Sequence, residues 1–269
     1  MVNTNMAIYL EILNGNMMIN KITEIRDNIH IGKLYKYNEY YNHVNELNIN
    51  EITKRPYRFD IINNLLTYLN KEDSYYLEIG VRNPNDNFNK IIAKNKFSVD
   101  PGIEFENNSV DFKVTSDEFF SGLKNNEFLN SEIKFDVIFI DGLHLANQVK
   151  KDIENSLNYL NPNGFIVLHD CNPPSEYHAR EDFYNDLTPA KKSWNGTTWK
   201  AFVEFRKNDE FSSICVDTDW GVGIITKAID FGNPNVIDNE FYEYKIFNEF
   251  RKESLNLVQY EDFINKLGL

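Results

Sequence analysis

Cysteine is nearly absent. The 269-residue chain has two, Cys171 and Cys215, far apart in sequence. They give no disulfide framework and no paired zinc spacing, so a reducing compartment, the cytoplasm, is the expected setting. Long apolar runs are missing as well. From 6 to 19 the chain alternates apolar and polar residues without a basic lead, which supports neither a signal peptide nor a membrane span. Two glycosylation-type triplets, Asn107-Asn108-Ser109 and Asn195-Gly196-Thr197, therefore carry no weight as acceptors. Positive charge is scarce: the formal net charge is −13 with no basic patch against it, which excludes a nucleic-acid backbone as partner. A G-x-G-x-x-G turn is also lacking.

What is present suits one large domain, or one with appendages. The hydrophobic share is 42%, and a chain of this length buries roughly 70–75% of its surface. The stretch Tyr75 to Gly102, YYLEIGVRNPNDNFNKIIAKNKFSVDPG, organises the rest. Tyr75–Ile79 is a short apolar run, read as a buried strand. Gly80 permits a tight turn. Asn83 and Pro84 begin an expected helix with Phe88, Ile91 and Ile92 on its apolar face. Residues 96–99 form a second strand that ends at Asp100. A strand, a helix and a strand with an acid about 20 positions past the glycine turn is the pattern of an adenosine-binding βαβ unit, the acid accepting from ribose hydroxyls.

The remaining elements follow in order. Residues 1–70 form a helical N-terminal extension that caps the site, mediates homodimer contacts or covers a sheet edge; Ile61, Ile62, Leu65, Leu66 and Leu69 place a helix before the first strand. Residues 110–114 read as a third strand, and Thr115 to Glu118 as a capping box. FDVIFI at 135–140 is a central strand covered on both faces, ending at Asp141-Gly142-Leu143-His144. A helix through Leu145, Val149, Ile153, Leu157 and Leu160 leads to a fifth strand, 165–168, ending at His169-Asp170. Residues 171–210 are an insertion rich in proline and aromatics, with a helix near its end through Trp199, Phe202, Val203 and Arg206. Residues 213–216 and 222–225 are joined too briefly for a parallel crossover, so they form an antiparallel hairpin. The tail from 228 to 269 carries a helix around 241–257. Together these predict an α/β fold: a doubly wound, mostly parallel seven-stranded sheet with an antiparallel last strand.

LEIGVRNP, FSVDPG, FDVIFIDGLH and GFIVLHDCNPP resemble the motifs of class I S-adenosylmethionine-dependent methyltransferases, over about residues 75–227. The subgroup they resemble is the bacterial small-molecule and sugar O-methyltransferases of macrocin and catechol type (methyltransferase family 24-like). The resemblance implies a cofactor-binding domain at 71–227, with the insertion at 171–210 facing the acceptor, in a pathway such as polysaccharide biosynthesis. It implies S-adenosyl-L-methionine contacts from Glu78, Gly80, Arg82, Asp100, Ser116, Asp117 and Asp141. Two departures stand out. Arg82, Pro84 and Asp86 occupy a loop usually rich in glycine. The fifth strand ends in Asp170-Cys171, with Asn172 one position later, where the catechol-type pattern has Asp-Asn.

Methyl transfer needs an aligned cofactor and an acceptor hydroxyl that loses its proton, to a base or under the influence of a metal. Asp141, His144, His169 and Asp170 fall at carboxyl ends of adjacent strands, where ligands sit in open α/β sheets. Asp141, His144 and Asp170 are the candidate catalytic set, with Asp141 and Asp170 as ligands for Mg2+ or, equally, as a metal-free base. His144 reads alternatively as a helix-entry residue and His169 as structural. Tyr177, His178, Trp194 and Trp199 either close over a sugar or pack the insertion, and Asp219-Trp220-Gly221 reads as hairpin structure. A sugar or small hydroxylated metabolite is the expected acceptor. Two other functions are a non-catalytic methyltransferase-like module in glycan assembly and a nicotinamide-dependent oxidoreductase; the missing G-x-G-x-x-G and the terminal hairpin count against the latter.

Overall fold

A computed structural model describes residues 18, 21–33, 36–105, 108–183 and 188–269. Most of the alternating stretch 6–19 lies outside the described residues. The chain divides into two compact units, Met1–Glu46 and Leu47–Leu269. In the first, residues 21–33 are helical. Helix α1 (Glu39–Thr53) begins there and ends in the second unit. No helix among the described residues is long and apolar enough to cross a membrane.

The second unit is built on one seven-stranded sheet. Its strands are β1 (Tyr75–Ile79), β2 (Asn95–Val99), β3 (Phe135–Ile140), β4 (Leu160–Leu168), β5 (Ser212–Val216), β6 (Val222–Thr226) and β7 (Leu257–Val258). Their order across the sheet is β2-β1-β3-β4-β6-β5-β7. β6 pairs antiparallel with both β4 and β5, so it alone runs against the other six. β3 shows why the apolar runs fold this way. Val137 and Phe139 point to one face and Ile138 and Ile140 to the other, and all four are buried. One face packs on α3 (Ser116–Lys124), α4 (Ala146–Tyr159) and α5 (Thr198–Phe205) through Phe119, Val149 and Trp199. The other packs on α2 (Arg58–Leu69) and the C-terminal Tyr260–Leu267 helix through Ile61, Leu65 and Phe263.

Three expected elements come out differently. The helix after Asn83 is only a 3-10 turn, Phe88–Lys90. Asparagine side chains compete with helical hydrogen bonding there: Asn83 Oδ1 accepts from the Asn85 N–H, and Asn87 is drawn inward to Glu78. Ile91 is buried but Ile92 is exposed. The third strand at 110–114 shrinks to one parallel bridge, Val99 to Phe112. Asp111 causes this, because its carboxylate takes both the N–H and the Oγ–H of Ser98, at 2.9 and 2.7 Å, in place of a backbone ladder. β7 supplies the seventh strand instead. The helix expected around 241–257 breaks at Phe250 into Tyr244–Glu249 and Arg251–Leu255, and a left-handed Asn256 turns the chain onto β5. The capping box is as expected: Thr115 accepts from the Glu118 N–H, and Glu118 accepts from the Thr115 N–H.

Candidate active site at the carboxyl edge of the sheet

From β1 the chain passes to β2 on one side and then to β3 on the other. That reversal falls at the carboxyl ends of β1 and β3, the place where ligands bind in such sheets. Gly80 follows β1 there. Its φ is +93°, and a Cβ there would lie 2.2 Å from the Asp141 carbonyl oxygen, so only glycine lets the two strand ends approach. Asp100, Gly80, Asp141 and Asp170 follow β2, β1, β3 and β4 in spatial order. Strands lie about 4.8 Å apart, so Asp100 and Asp141 stand on the order of 10 Å apart along the edge.

At the β1–β2 end, Asp100 Oδ1 accepts from the Gly102 N–H at 2.6 Å and from Asn108 Nδ2 at 2.9 Å. Asn108 Nδ2 also donates to the Val81 carbonyl at 2.7 Å. Its own Oδ1 is buried and has no donor among the described residues. Glu78 is buried near the end of β1. It is 3% exposed and accepts from the Tyr76 hydroxyl at 2.6 Å and from Asn87 Nδ2 at 2.8 Å. Burial pushes its carboxyl up to about 7. Arg82 is exposed and pairs with Asp86 at 3.3 Å. Gln148 on α4 donates to Ser116 Oγ at 3.2 Å and to Asp117 Oδ1 at 3.0 Å, so both side chains are tied to α4.

At the β3–β4 end the side chains converge. His144 Nε2 lies 3.3 Å from Asp141 Oδ1, and its Nδ1 lies 3.1 Å from Asp170 Oδ2. His169 Nδ1 sits between the same two carboxylates, 3.2 and 3.3 Å away, and its Nε2 is 3.4 Å from Asp219 Oδ1. Arg58, the first residue of α2, closes the set. Its Nη1 lies 3.1 Å from Asp219 Oδ2 and its Nε 3.7 Å from Asp141 Oδ2. Three carboxylates thus face three basic side chains. Burial works against each charge, but the opposite charges win. They raise His144 to about 9, lift His169 and Arg58 above their ordinary values, and hold Asp141 and Asp219 well below theirs. Both His144 nitrogens face only acceptor oxygens, as an imidazolium requires. Asp170 adopts φ +60°, a strained backbone for a non-glycine residue of the kind that collects at functional sites.

The insertion reaches this cluster. Trp194 stacks on the His144 ring, with centroids 5.1 Å apart. Asn195 Nδ2 donates to Asp170 Oδ1 at 2.7 Å. His178 is fully buried between Ser175 and Asn48 and packs on Trp220; burial lowers it to about 4. Asn172 is buried and bonds to Asp217 and Arg251. Asp141, His144 and Asp170 each offer one ligand atom, all within 4.8 Å of one another. Two carboxylates and an imidazole suit a hard or borderline divalent cation. Sequence reasoning missed Arg58, Asp219 and Asn195 as site residues. Arg58 has no motif around it, Asp219 reads as hairpin structure, and Asn195 stands out as part of a glycosylation-type triplet.

Residues 69–171 match a family described as a methyltransferase domain. No curated protein matches the sequence. Among solved structures, an O-methyltransferase from Bacillus cereus in complex with SAH is 12% identical, covers 73% of this chain and 96% of its own, and gives a TM-score of 0.41. The SAH-bound Podospora anserina methyltransferase PaMTH1 is 15% identical over 75% of this chain and 95% of its own, with a TM-score of 0.40. The MycE methyltransferase of the mycinamycin biosynthetic pathway, in complex with Mg and SAH, is 12% identical over 77% of this chain and 59% of its own, with a TM-score of 0.42. The segment that matches the methyltransferase-domain family, residues 69–171, carries β1 to β4 and the strand ends Gly80, Asp100, Asp141 and Asp170.

Proposed function

We propose that this chain is an S-adenosylmethionine-dependent O-methyltransferase acting on a sugar or another small hydroxylated metabolite in the cytoplasm. The observation that carries the reading is the convergence of Asp141, His144 and Asp170 beyond the ends of β3 and β4, next to the Gly80 turn and inside the segment that matches the methyltransferase family.

The residues at the β1–β2 end fit the cofactor. Asp100 would accept from the ribose hydroxyls, as an acid at the end of the second strand does. The buried Asn108 Oδ1 has no donor among the described residues, and a hydroxyl or ammonium group of the ligand would supply one. Gly80 lets the backbone come close, and Glu78, two residues before it, is held by Tyr76 and Asn87. Arg82 flanks the loop, and Ser116 and Asp117 stand at the start of α3 on the adenine side. When bound, the cofactor supplies the electrophilic methyl group.

Asp141 and Asp170, with His144, would hold a magnesium-like ion, whose chemistry is to lower the pKa of the acceptor hydroxyl. The chain's own part is orientation and proton control. His144 spans the two carboxylates and fixes the spacing between them. It holds a proton there, and must give it up to serve as ligand or base. Arg58 and Asp219 balance the remaining charge from behind. Trp194 and the rest of the insertion would face the acceptor.

Calorimetric titration of the full chain tests this reading. S-adenosylmethionine and its demethylated product are expected to bind with micromolar affinity. Transfer of labelled methyl to a panel of hydroxylated sugars is expected to vanish in Asp141→Asn. Absence of binding to both forms of the cofactor would overturn the assignment.

A further inference from the structure

Asn195 sits on the insertion, 25 residues beyond Asp170, and is fully buried. Its Nδ2 donates to Asp170 Oδ1 at 2.7 Å, which leaves Asp170 Oδ2 turned to His144 and His169. The other end of the amide, Oδ1, is buried without a donor among the described residues. An amide kept only to pack the insertion would be expected to have both ends paired, since a buried unmet acceptor costs about 1–3 kcal/mol. The backbone on either side is fastened to the same site. The Asn195 and Gly196 N–H groups both donate to the His178 carbonyl, at 3.0 and 3.1 Å, and the Thr197 N–H donates to the His144 carbonyl at 2.7 Å. The Ala146 N–H returns a bond to Thr197 Oγ1 at 2.8 Å. Gly196 has φ +59°, and a Cβ there would lie 2.1 Å from the His144 carbonyl oxygen, so the strap fits only with glycine at that point.

From this geometry we propose that Asn195 is the positioning residue of the cation site. It fixes one oxygen of Asp170 so that the other is presented to the ion alongside Asp141 and His144. The role rests on the proposed reading of that cluster as a divalent-cation site. It makes an ordered insertion a condition of tight cation binding, because the strap that carries Asn195 also holds His144.

The test is calorimetric titration of Mn2+ and, separately, of the demethylated cofactor into the full chain and its Asn195→Ala variant. Partners of metal ligands typically contribute about 10- to 100-fold in metal affinity. The expected result is a loss of that size for Mn2+, with cofactor affinity unchanged within about twofold and an unchanged far-ultraviolet spectrum. Asn195→Ser, which keeps a donor, is expected to recover part of the loss. A crystal structure of the parent chain with Mn2+ reads the same point without any substitution: Asp170 should bind the ion through Oδ2 while Oδ1 stays on Asn195. Equal Mn2+ affinity in the parent and Asn195→Ala, no Mn2+ binding by the parent, or coordination through Oδ1 with the Asn195 bond broken would each overturn the proposal. If the parent binds the demethylated cofactor while any of these holds, the methyltransferase reading stands and this inference fails. If it binds neither form of the cofactor, the methyltransferase reading itself fails.

Discussion

Glu78→Gln should stabilise the protein in a way that grows with pH. In the folded chain the Glu78 carboxylate is 3% exposed and has two donors, the Tyr76 hydroxyl and Asn87 Nδ2. These do not compensate for its burial, and the group titrates near 7 rather than at 4.5. The folded-state value is raised, so folding favours the protonated acid. Its stabilising effect is fully present below about 4.5 and is lost as pH climbs through about 7. At about 1.36 kcal/mol per pH unit, the loss is on the order of 3 kcal/mol between pH 4.5 and pH 8. Glutamine has nearly the same shape and does not ionise. Other titrations are common to both proteins and cancel in the difference. Urea unfolding of the two proteins at pH 5 and pH 8 measures it directly. The variant should gain on the parent by about 2.5 kcal/mol between those conditions, or roughly 5 to 10 °C in midpoint temperature for a chain of this size. Parallel stability profiles would refute the reasoning, because they would mean that Glu78 ionises freely in the folded state.

Gly80→Ala places a Cβ 2.2 Å from the Asp141 carbonyl oxygen at φ +93°; a thermal scan should show destabilisation of at least about 2 kcal/mol together with loss of cofactor binding. Asp100→Ala should weaken the demethylated cofactor by about 10- to 100-fold in calorimetry, the size of one or two hydrogen bonds to a charged group. Arg58→Met leaves Asp219 and Asp141 without their guanidinium partner. Removing one partner of a buried pair costs about 3–5 kcal/mol, so denaturant titration should show a loss of that order, while Arg58→Lys should recover part of it.

The sequence made some of this legible and concealed the rest for physical reasons. β1 and β3 announce themselves because a strand covered on both faces is apolar at nearly every position, Glu78 and Asp136 being the charged exceptions. The β5–β6 reversal follows from a connection too short for a crossover. Asp141, His144 and Asp170 are visible because each lies within four residues of a strand's carboxyl end. Local pattern failed where side chains took over backbone work. Asp111 took the Ser98 N–H, and asparagines unwound the segment after Asn83. It failed again where distant chain meets: Arg58 and Asp219 are 161 residues apart, and no window of sequence holds both. Their charges decide how the cluster titrates, so that chemistry could not be read from the strand ends alone.

The central claim places the methyl donor across the carboxyl edge, from Asp100 to Asp141. A crystal structure of the chain with the demethylated cofactor and Mg2+ tests it most directly. The account predicts the ribose hydroxyls on Asp100, the sulfur beside Gly80 and facing Asp141, and the ion on Asp141, His144 and Asp170. Density for the cofactor elsewhere on the molecule, or an edge closed to it by side chains, would contradict the account.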